Sequence, residues 1–428
     1  MKKNIKSIKG MNDYIGNELL LYNNIVKICK KILKKHCYEE IKTPVLEHTE
    51  LFKISIGNNT DIIEKETYSF IDRSKKNVTL RPEGTSGCIR SIIEHNLLYK
   101  KKIQKLWYLG SMFRHENTQK GRYREFNQFG IEIVGINNIY IELETILITK
   151  KIWENLGILN CLNLEINSIG SIFERKTYIK KFKYFLNDKK KTIEKYYNKN
   201  YKKNPFRLFD SKNINIKKIL KDAPLLYNSL NEKTLLRFKN LCNILKKFNI
   251  KYKINKQLVR GLNYYNDTVF EWKNKKLNTQ HTICAGGRYD KLSYLLNKRN
   301  IFAFGCAIGI DRLMLLKKYF KKNILKKNTI DIEIIPLEKK MLLKAIKISE
   351  KIRKKFPKLS IMTNFSNERL KKKLKKSNIN KVKFIILIGK EEIKNKYYTL
   401  KNLTKNSQYK YSYKNLIDKI NHLFKNNK

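Results

Sequence analysis

The sequence predicts an α+β protein: a strand-rich part holding an antiparallel hairpin, a mostly helical insert, and a separate small α/β domain towards the C-terminal end. Three observations lead there. Two strand-like runs, KLWYLGSMFRHE and FNQFGIEIVG, flank one polar loop between Leu106 and Gly135. From residue 171 to about 250 the composition changes to Lys, Tyr, Phe and Leu at helical spacing. From Thr329 strand-like and helix-like segments alternate, which favours a parallel sheet with helices packed on it.

The elements follow in order. Glu18–Lys35 reads as a helix with apolar positions Leu19, Tyr22, Ile25, Val26 and Ile32. TYSFID, NVTLRPE and the two hairpin runs read as strands, and Leu143, Ile146 and Leu147 mark a closing helix. After the insert, which contains NPFRLFDSKN and DAP, strand signals return at LVRGLNYY, TVFEW, HTICAGGRYD and FAFGCAIGID. The lysine-rich KKYFKKNILKKN reads as a linker. Beyond it come strand IDIEII, a helix over 341–355, strand SIMTNF, a helix over 366–376, strand KFIILIG, one further strand and a last helix to Leu423.

Composition excludes several classes. At 428 residues and 41% apolar, the chain can bury a sizeable core. No stretch approaches the apolar run needed to span a bilayer. The start, MKKNIKSIKGMNDYIG, lacks the apolar core of a secretory signal, so a cytoplasmic location is expected, with no membrane partner. The 7 cysteines are scattered without a C-x-x-C pair, which argues for free thiols and against a zinc site or a disulfide framework. Net charge is +57, from 94 Lys+Arg against 37 Asp+Glu, and such a field attracts polyanions. The excess is mostly lysine, however, with abundant Asn, Ile and Tyr. These residues share A/T-rich codons, so charge alone does not assign nucleic acid.

Side chains alternate along a strand. Tyr108, Met112, Arg114 and Glu116 therefore share one face of the first hairpin strand, and Phe126, Gln128 and Glu132 one face of the second. Trp107, Leu109, Phe113, Phe129, Ile131 and Ile133 form the apolar face. A wet sheet face would explain the polar set, but that face holds no lysine, this chain's commonest solvent filler. Arg, Gln and Glu are groups that make directed hydrogen bonds. Gly110 and Gly130 are expected to leave room for something to approach, and Lys120, Arg122 and Arg124 at the tip suit phosphates. In TLRPEGTSGCIRSI a strand passes into a helix capped by Thr85 or Ser86, which puts Glu83, Gly84 and Thr85 at the turn. In LVRGLNYY and AGGRYD, Arg260 and Arg288 stand beside glycines, where backbone can approach a ligand, and Tyr264 and Tyr265 offer hydroxyls. Arg312 in FAFGCAIGIDRLMLL lies in the first turn of a helix, where a cation opposes the helix dipole and so suggests an anionic partner. No P-loop, G-x-G-x-x-G, H-E-x-x-H or G-x-S-x-G pattern occurs.

Taken together, these segments resemble the histidyl-tRNA synthetases, a family of class II aminoacyl-tRNA synthetases. The resemblance runs from KGMNDY to the last helix. It is densest in TLRPEGT, MFRHENTQKGRYREFNQFGIEIVG, LVRGLNYYNDTVFEW, CAGGRYD and GCAIGIDRL. LVRGLNYY and AGGRYD belong to this specificity and not to class II synthetases in general.

The resemblance implies a class II antiparallel-sheet catalytic domain over residues 1–325, a helical insertion at about 171–250, and an α/β anticodon-binding domain over 329–428. It implies ATP with Mg2+, L-histidine and tRNA-His as partners, and a homodimer formed through the N-terminal part. Arg114 would hold the α-phosphate and the histidine carboxylate, with Arg260 as a second cation on that phosphate. Phe126 would stack on adenine, Glu116 would belong to the ATP site, and Arg312 would meet the γ-phosphate. Glu83, Thr85 and Gln128 would receive the α-amino group, with Gly84 also in the histidine site. Glu132 and Tyr265 would bind the imidazole nitrogens, Tyr264 would line the pocket, and Gln119 would face tRNA.

The chain departs from the family at four places. Asn117 stands where the resemblance leads one to expect Arg, Asn263 where Asp, Asn127 where His and Asp311 where Glu. Two other readings compete: a non-catalytic regulatory subunit of ATP phosphoribosyltransferase, and a non-catalytic RNA-binding protein. The first would lack the C-terminal domain and the arginines. The second rests on charge alone.

Overall fold

The computed structural model describes residues 4–58, 60–196, 201, 205–211, 213–274, 282–320, 330–405 and 407–424. Most of the linker segment, 321–329, lies outside them, as do parts of NPFRLFDSKN. The chain divides into two compact units, Met1–Ile324 and Leu325–Lys428.

In the first unit the strands are β1 (Glu39–Glu40), β2 (Leu46–His48), β3 (Tyr68–Ile71), β4 (Asn77–Leu80), β5 (Gln104–Phe113), β6 (Glu125–Val134), β7 (Leu162–Ser168), β8 (Tyr252–Ile254), β9 (Asn266–Asn274), β10 (Thr282–Arg288) and β11 (Ala303–Gly309). Eight of them form one sheet in the order β1-β5-β6-β11-β10-β9-β7-β8. Its six middle strands are antiparallel, and a parallel pair closes each edge. The hairpin β5–β6 pairs Leu106 with Glu132 and Gly110 with Gln128. Its apolar face is the core face. Trp107 stacks on Phe129 with ring centres 5.1 Å apart, a contact that adds about 1 kcal/mol to the area buried.

Two helices cover that face, Asn17–Lys35 and Tyr140–Asn155. The first buries Leu21, Ile25, Cys29 and Ile32, one stripe at helical spacing, so Leu19 faces outward at 41% exposure. The insert is helical at Ile172–Asp188, Lys190–Tyr196, Ile214–Ile219 and Glu232–Lys247. Ser171 and Glu174 make a capping box at its first helix. Its Tyr178, Phe182 and Leu186 share a core with Leu258, Tyr264 and Tyr265, so packing of the insert bears directly on the pocket tyrosines.

One expected strand is not there. LVRGLNYY is irregular from Leu258 to Tyr265 and is held by tethers in place of a ladder. Asn167 donates to the Leu258 carbonyl at 2.9 Å, the Asn263 N–H to Ile56 at 3.3 Å, and Arg175 to the Tyr265 carbonyl.

The second unit is a five-stranded sheet in the order β13-β12-β14-β15-β16: β12 (Ile332–Pro336), β13 (Ile361–Thr363), β14 (Phe384–Ile388), β15 (Tyr397–Asn402) and β16 (Ser407–Ser412). β12 pairs in parallel with β13 and β14, but β14–β15 and β15–β16 are antiparallel. The sheet is therefore mixed, with two late strands where one was expected. The short link after Asn402 leaves room for a hairpin and none for a crossover helix.

Candidate active site

Glu132 lies at the centre of the polar sheet face and is 1% exposed. Thr85 donates its hydroxyl to one carboxylate oxygen at 2.8 Å, and Tyr289 donates to the other. Burial pushes the carboxyl up to about 8, with the two hydroxyl donors working the other way. Gly305, opposite on β11, is required here, because a Cβ there would collide with the Glu132 carboxylate.

The helix Thr85–Glu94 has Gly84 at its N-cap, and neither Thr85 nor Ser86 caps it. The Glu83 carboxylate does so, accepting from the Thr85 and Ser86 N–H groups at 2.6 and 2.9 Å; an anion there suits the helix dipole. Tyr264 lies 3.5 Å from the same carboxylate through its hydroxyl and packs on both Tyr265 and Tyr289. Glu83, Thr85, Glu132, Tyr289 and Tyr264 thus form one buried cluster, joined by hydrogen bonds and, between Tyr264 and Tyr289, by an edge-on ring contact.

Gly110 and Gly130 serve other side chains and not a ligand. A Cβ at Gly130 or Gly84 would strike the Tyr108 ring, and one at Gly110 the Arg81 guanidinium. Arg81 is spent on the carbonyls of Ser111 and Thr43 at 2.9 and 3.0 Å. Arg288 is likewise structural. It is 1% exposed and paired with Glu142 at 2.9 Å and Asp290 at 3.1 Å.

At the other end, three arginines gather around Glu116, which lies past the end of β5 in the hairpin loop. Arg122 pairs with it at 2.7 Å, and Arg114 approaches to 3.9 Å. Arg114 also donates to the Pro82 carbonyl at 2.9 Å and lies over the Phe126 ring, 5.3 Å from its centre. Arg312 donates to the carbonyls of Gly121 and Thr282 at 3.1 and 2.7 Å. Burial lowers its pKa, and Arg114 and Arg122 add to that against Glu116.

Between the two ends, Arg260 pairs with Glu271 at 2.8 Å and lies over Tyr265 at 4.9 Å. Burial works against its charge, but Tyr265 and Glu271 outweigh burial and hold its pKa above the usual range. Gln128 sits opposite Gly110 and Gly309, 3.5 Å from the Tyr108 hydroxyl. Gln119 is exposed at the hairpin tip, its backbone paired with Arg122.

Residues 10–313 match the model of the Histidyl-tRNA synthetase family, and residues 331–423 that of the Anticodon binding domain. The chain belongs to the histidyl-tRNA synthetase family. The activity that goes with membership is that of a histidine–tRNA ligase, a class II aminoacyl-tRNA synthetase. The chain is 47% identical to a histidine–tRNA ligase of Buchnera aphidicola subsp. Schizaphis graminum over 99% of both chains. It is 46% identical to one of Buchnera aphidicola subsp. Baizongia pistaciae over the full length of both. The solved structure of apo S. aureus histidyl-tRNA synthetase superposes with a TM-score of 0.76 at 28% identity, covering 97% of this chain and 99% of that one. The regulatory-subunit and RNA-binding alternatives fall away, since ligases match end to end and the anticodon-binding domain is there.

Sequence reasoning missed Tyr289, Glu271 and Arg175. Tyr289 stands inside AGGRYD, next to the Arg288 that the flanking glycines single out. The alternation of β9 puts Glu271 beside apolar Phe270 and Trp272, a signal that could have flagged it. Nothing in the sequence pointed to Arg175, which acts from the insert.

Proposed function

We propose that the Glu132 end of the site takes the imidazole of histidine and the arginine end takes the phosphates of ATP. The observation that carries this is the pairing of opposites along one sheet face and its hairpin loop: a buried carboxylate among hydroxyls at one end, and Arg114, Arg122 and Arg312 crowded around Glu116 at the other. Glu132 and Tyr265 bind the ring nitrogens, and Tyr264 lines the cavity. Glu83, Thr85 and Gln128 receive the α-amino group, with Gly84 also in the histidine site. Phe126 stacks on adenine, Glu116 orders the hairpin arginines, and Arg312 meets the γ-phosphate.

The histidine carboxylate attacks the α-phosphorus in line, and pyrophosphate leaves. Arg114 and Arg260 neutralise charge that builds on the phosphoryl oxygens, so the site works by positioning and electrostatics. The terminal ribose hydroxyl of tRNA-His then attacks the adenylate carbonyl and releases AMP. Mg2+, when bound, would supply further neutralisation of phosphate charge. The local donors fit its usual mode of one or two carboxylates plus phosphates, with Glu116 and Glu271 as the acids at hand.

The domains run over 1–325 and 329–428, the second reading the anticodon. Gln119 meets the acceptor end, with Asn117 beside it. Val45, Leu46, Phe70 and Ile71, all large exposed apolar residues on or beside the three-stranded sheet β2-β4-β3, suit a homodimer interface. Among the described residues no helix is long and apolar enough to cross a membrane. All seven cysteines are free thiols, which suits a reducing compartment, and we place the enzyme in the cytoplasm. Trapping of labelled histidyl-adenylate on the enzyme, with Mg-ATP and without tRNA, tests the site. The adenylate should form in wild type and vanish in Arg114→Ala; formation unaffected by that change overturns the assignment.

A further inference from the structure

The segment before the first helix touches the hairpin at two points. Gly10 accepts the Arg124 and Glu125 N–H groups at 2.8 and 3.2 Å. Its φ of +86° and the collision a Cβ would make with Thr118 both demand glycine. Four residues on, the Tyr14 hydroxyl donates to Asp311, whose other oxygen accepts the Asn127 N–H at 2.7 Å. β11 ends at Gly309, opposite Gln128. Asp311, in the helix that follows, therefore continues the ladder by one position, where no strand is left to pair. Tyr22 closes a ring: it stacks on Tyr14 at 5.8 Å and directs its hydroxyl to the Asn127 side chain at 3.3 Å. Asp311 is 5% exposed, so removing one of its donors leaves an unsatisfied carboxylate.

Asn127 stands between Phe126 and Gln128. Arg114 is tied to the same end of the hairpin by its N–H to the Arg124 carbonyl at 2.9 Å. We propose that Gly10–Tyr14 is a positioning strap for the adenine side of the ATP site, with Tyr14 and Asp311 acting as positioning residues through Asn127. This rests on Phe126 and Arg114 meeting ATP, as argued above. None of the strap residues touches the nucleotide. They fix the strand end and the loop base from which Phe126 and Arg114 project.

The test is Tyr14→Phe in the full-length enzyme, which removes one hydroxyl and keeps the stacked ring. In ATP–pyrophosphate exchange the KM for ATP should rise about three- to tenfold, as expected for one lost hydrogen bond to a charged group acting indirectly. The KM for histidine should stay within twofold. Asp311→Asn should do more, and Asp311→Glu, which keeps both acceptor oxygens, should recover most of the loss. Amide exchange at Arg124–Gln128 should quicken in Tyr14→Phe. Quickened exchange with an unchanged ATP KM overturns the proposal and places the fault in the ATP-site assignment. Unchanged exchange with an unchanged ATP KM overturns the strap itself. Equal rises in both KM values make Tyr14 merely structural and overturn it too.

Discussion

Tyr289, one residue past β10, donates its hydroxyl to Glu132 on β6, reaching over β11 where Gly305 has no side chain to block it. With Thr85 on the other oxygen, each carboxylate oxygen accepts one hydroxyl, acceptor sites remain, and no arginine among the described residues pairs with it. A salt bridge holding the sheet together therefore does not account for Glu132. A buried carboxylate served only by neutral donors is costly, and the imidazole N–H of histidine is the donor that fits. Glu132→Gln keeps the shape and removes the group's ability to ionise when it meets the imidazole. It should raise the histidine KM at least tenfold, by about the strength of a charged hydrogen bond, with little change in the ATP KM. Steady-state exchange kinetics check this; equal effects on both substrates would make Glu132 structural.

The same carboxyl sets a pH dependence. Burial raises it to about 8 in the folded protein, against about 4.3 unfolded. The folded state therefore holds the proton more tightly. Its contribution to stability is fully present below the unfolded value and is lost as pH rises through about 8. Urea titrations of the ligand-free enzyme from pH 5 to 8.5 should show Glu132→Gln gaining stability relative to wild type as pH rises. Parallel curves for the two proteins would show that the carboxyl is not perturbed.

Arg260 pairs with Glu271 and caps Tyr265, and the proposed function sets it against the α-phosphorus. Arg260→Ala should slow adenylate formation by two to three decades, roughly 3–4 kcal/mol of transition-state stabilisation, while histidine binding survives. Rapid-quench single turnovers measure the step. A near-normal rate removes Arg260 from the chemistry.

Ending the chain after about Lys327 leaves every proposed pocket residue in place. Adenylate formation should persist, and charging of tRNA-His should weaken. Aminoacylation at limiting tRNA decides it: a folded, dimeric truncation that charges tRNA as well as the full chain would show that the C-terminal domain contributes nothing to recognition.

The hairpin was the most legible part of the fold, because strict alternation gave both its faces and its apolar side matches the core. The C-terminal unit was half legible: βα alternation shows parallel pairs, but a closing hairpin carries no helix-length spacer to announce it. LVRGLNYY misled because its Val, Leu and Tyr content has strand propensity, while its conformation is imposed by Asn167 and Arg175, 91 and 90 residues away in sequence. Glycines were legible as close approaches but not as to what approaches. Gly110 and Gly130 make way for Arg81 and Tyr108, which only three-dimensional packing reveals. Arg288 and Tyr289 are adjacent and of opposite use, since strand alternation sends one to Glu142 and the other to Glu132.

The site is proposed to activate histidine and no other standard amino acid. The most direct test is amino-acid-dependent exchange of labelled pyrophosphate into ATP by the full-length enzyme, run separately with each standard amino acid. Histidine alone should support exchange, with every other amino acid lower by about four orders of magnitude, as expected of a site whose buried polar groups would otherwise stay unpaired. Exchange with a different amino acid at a comparable rate, or none with histidine, would contradict the account.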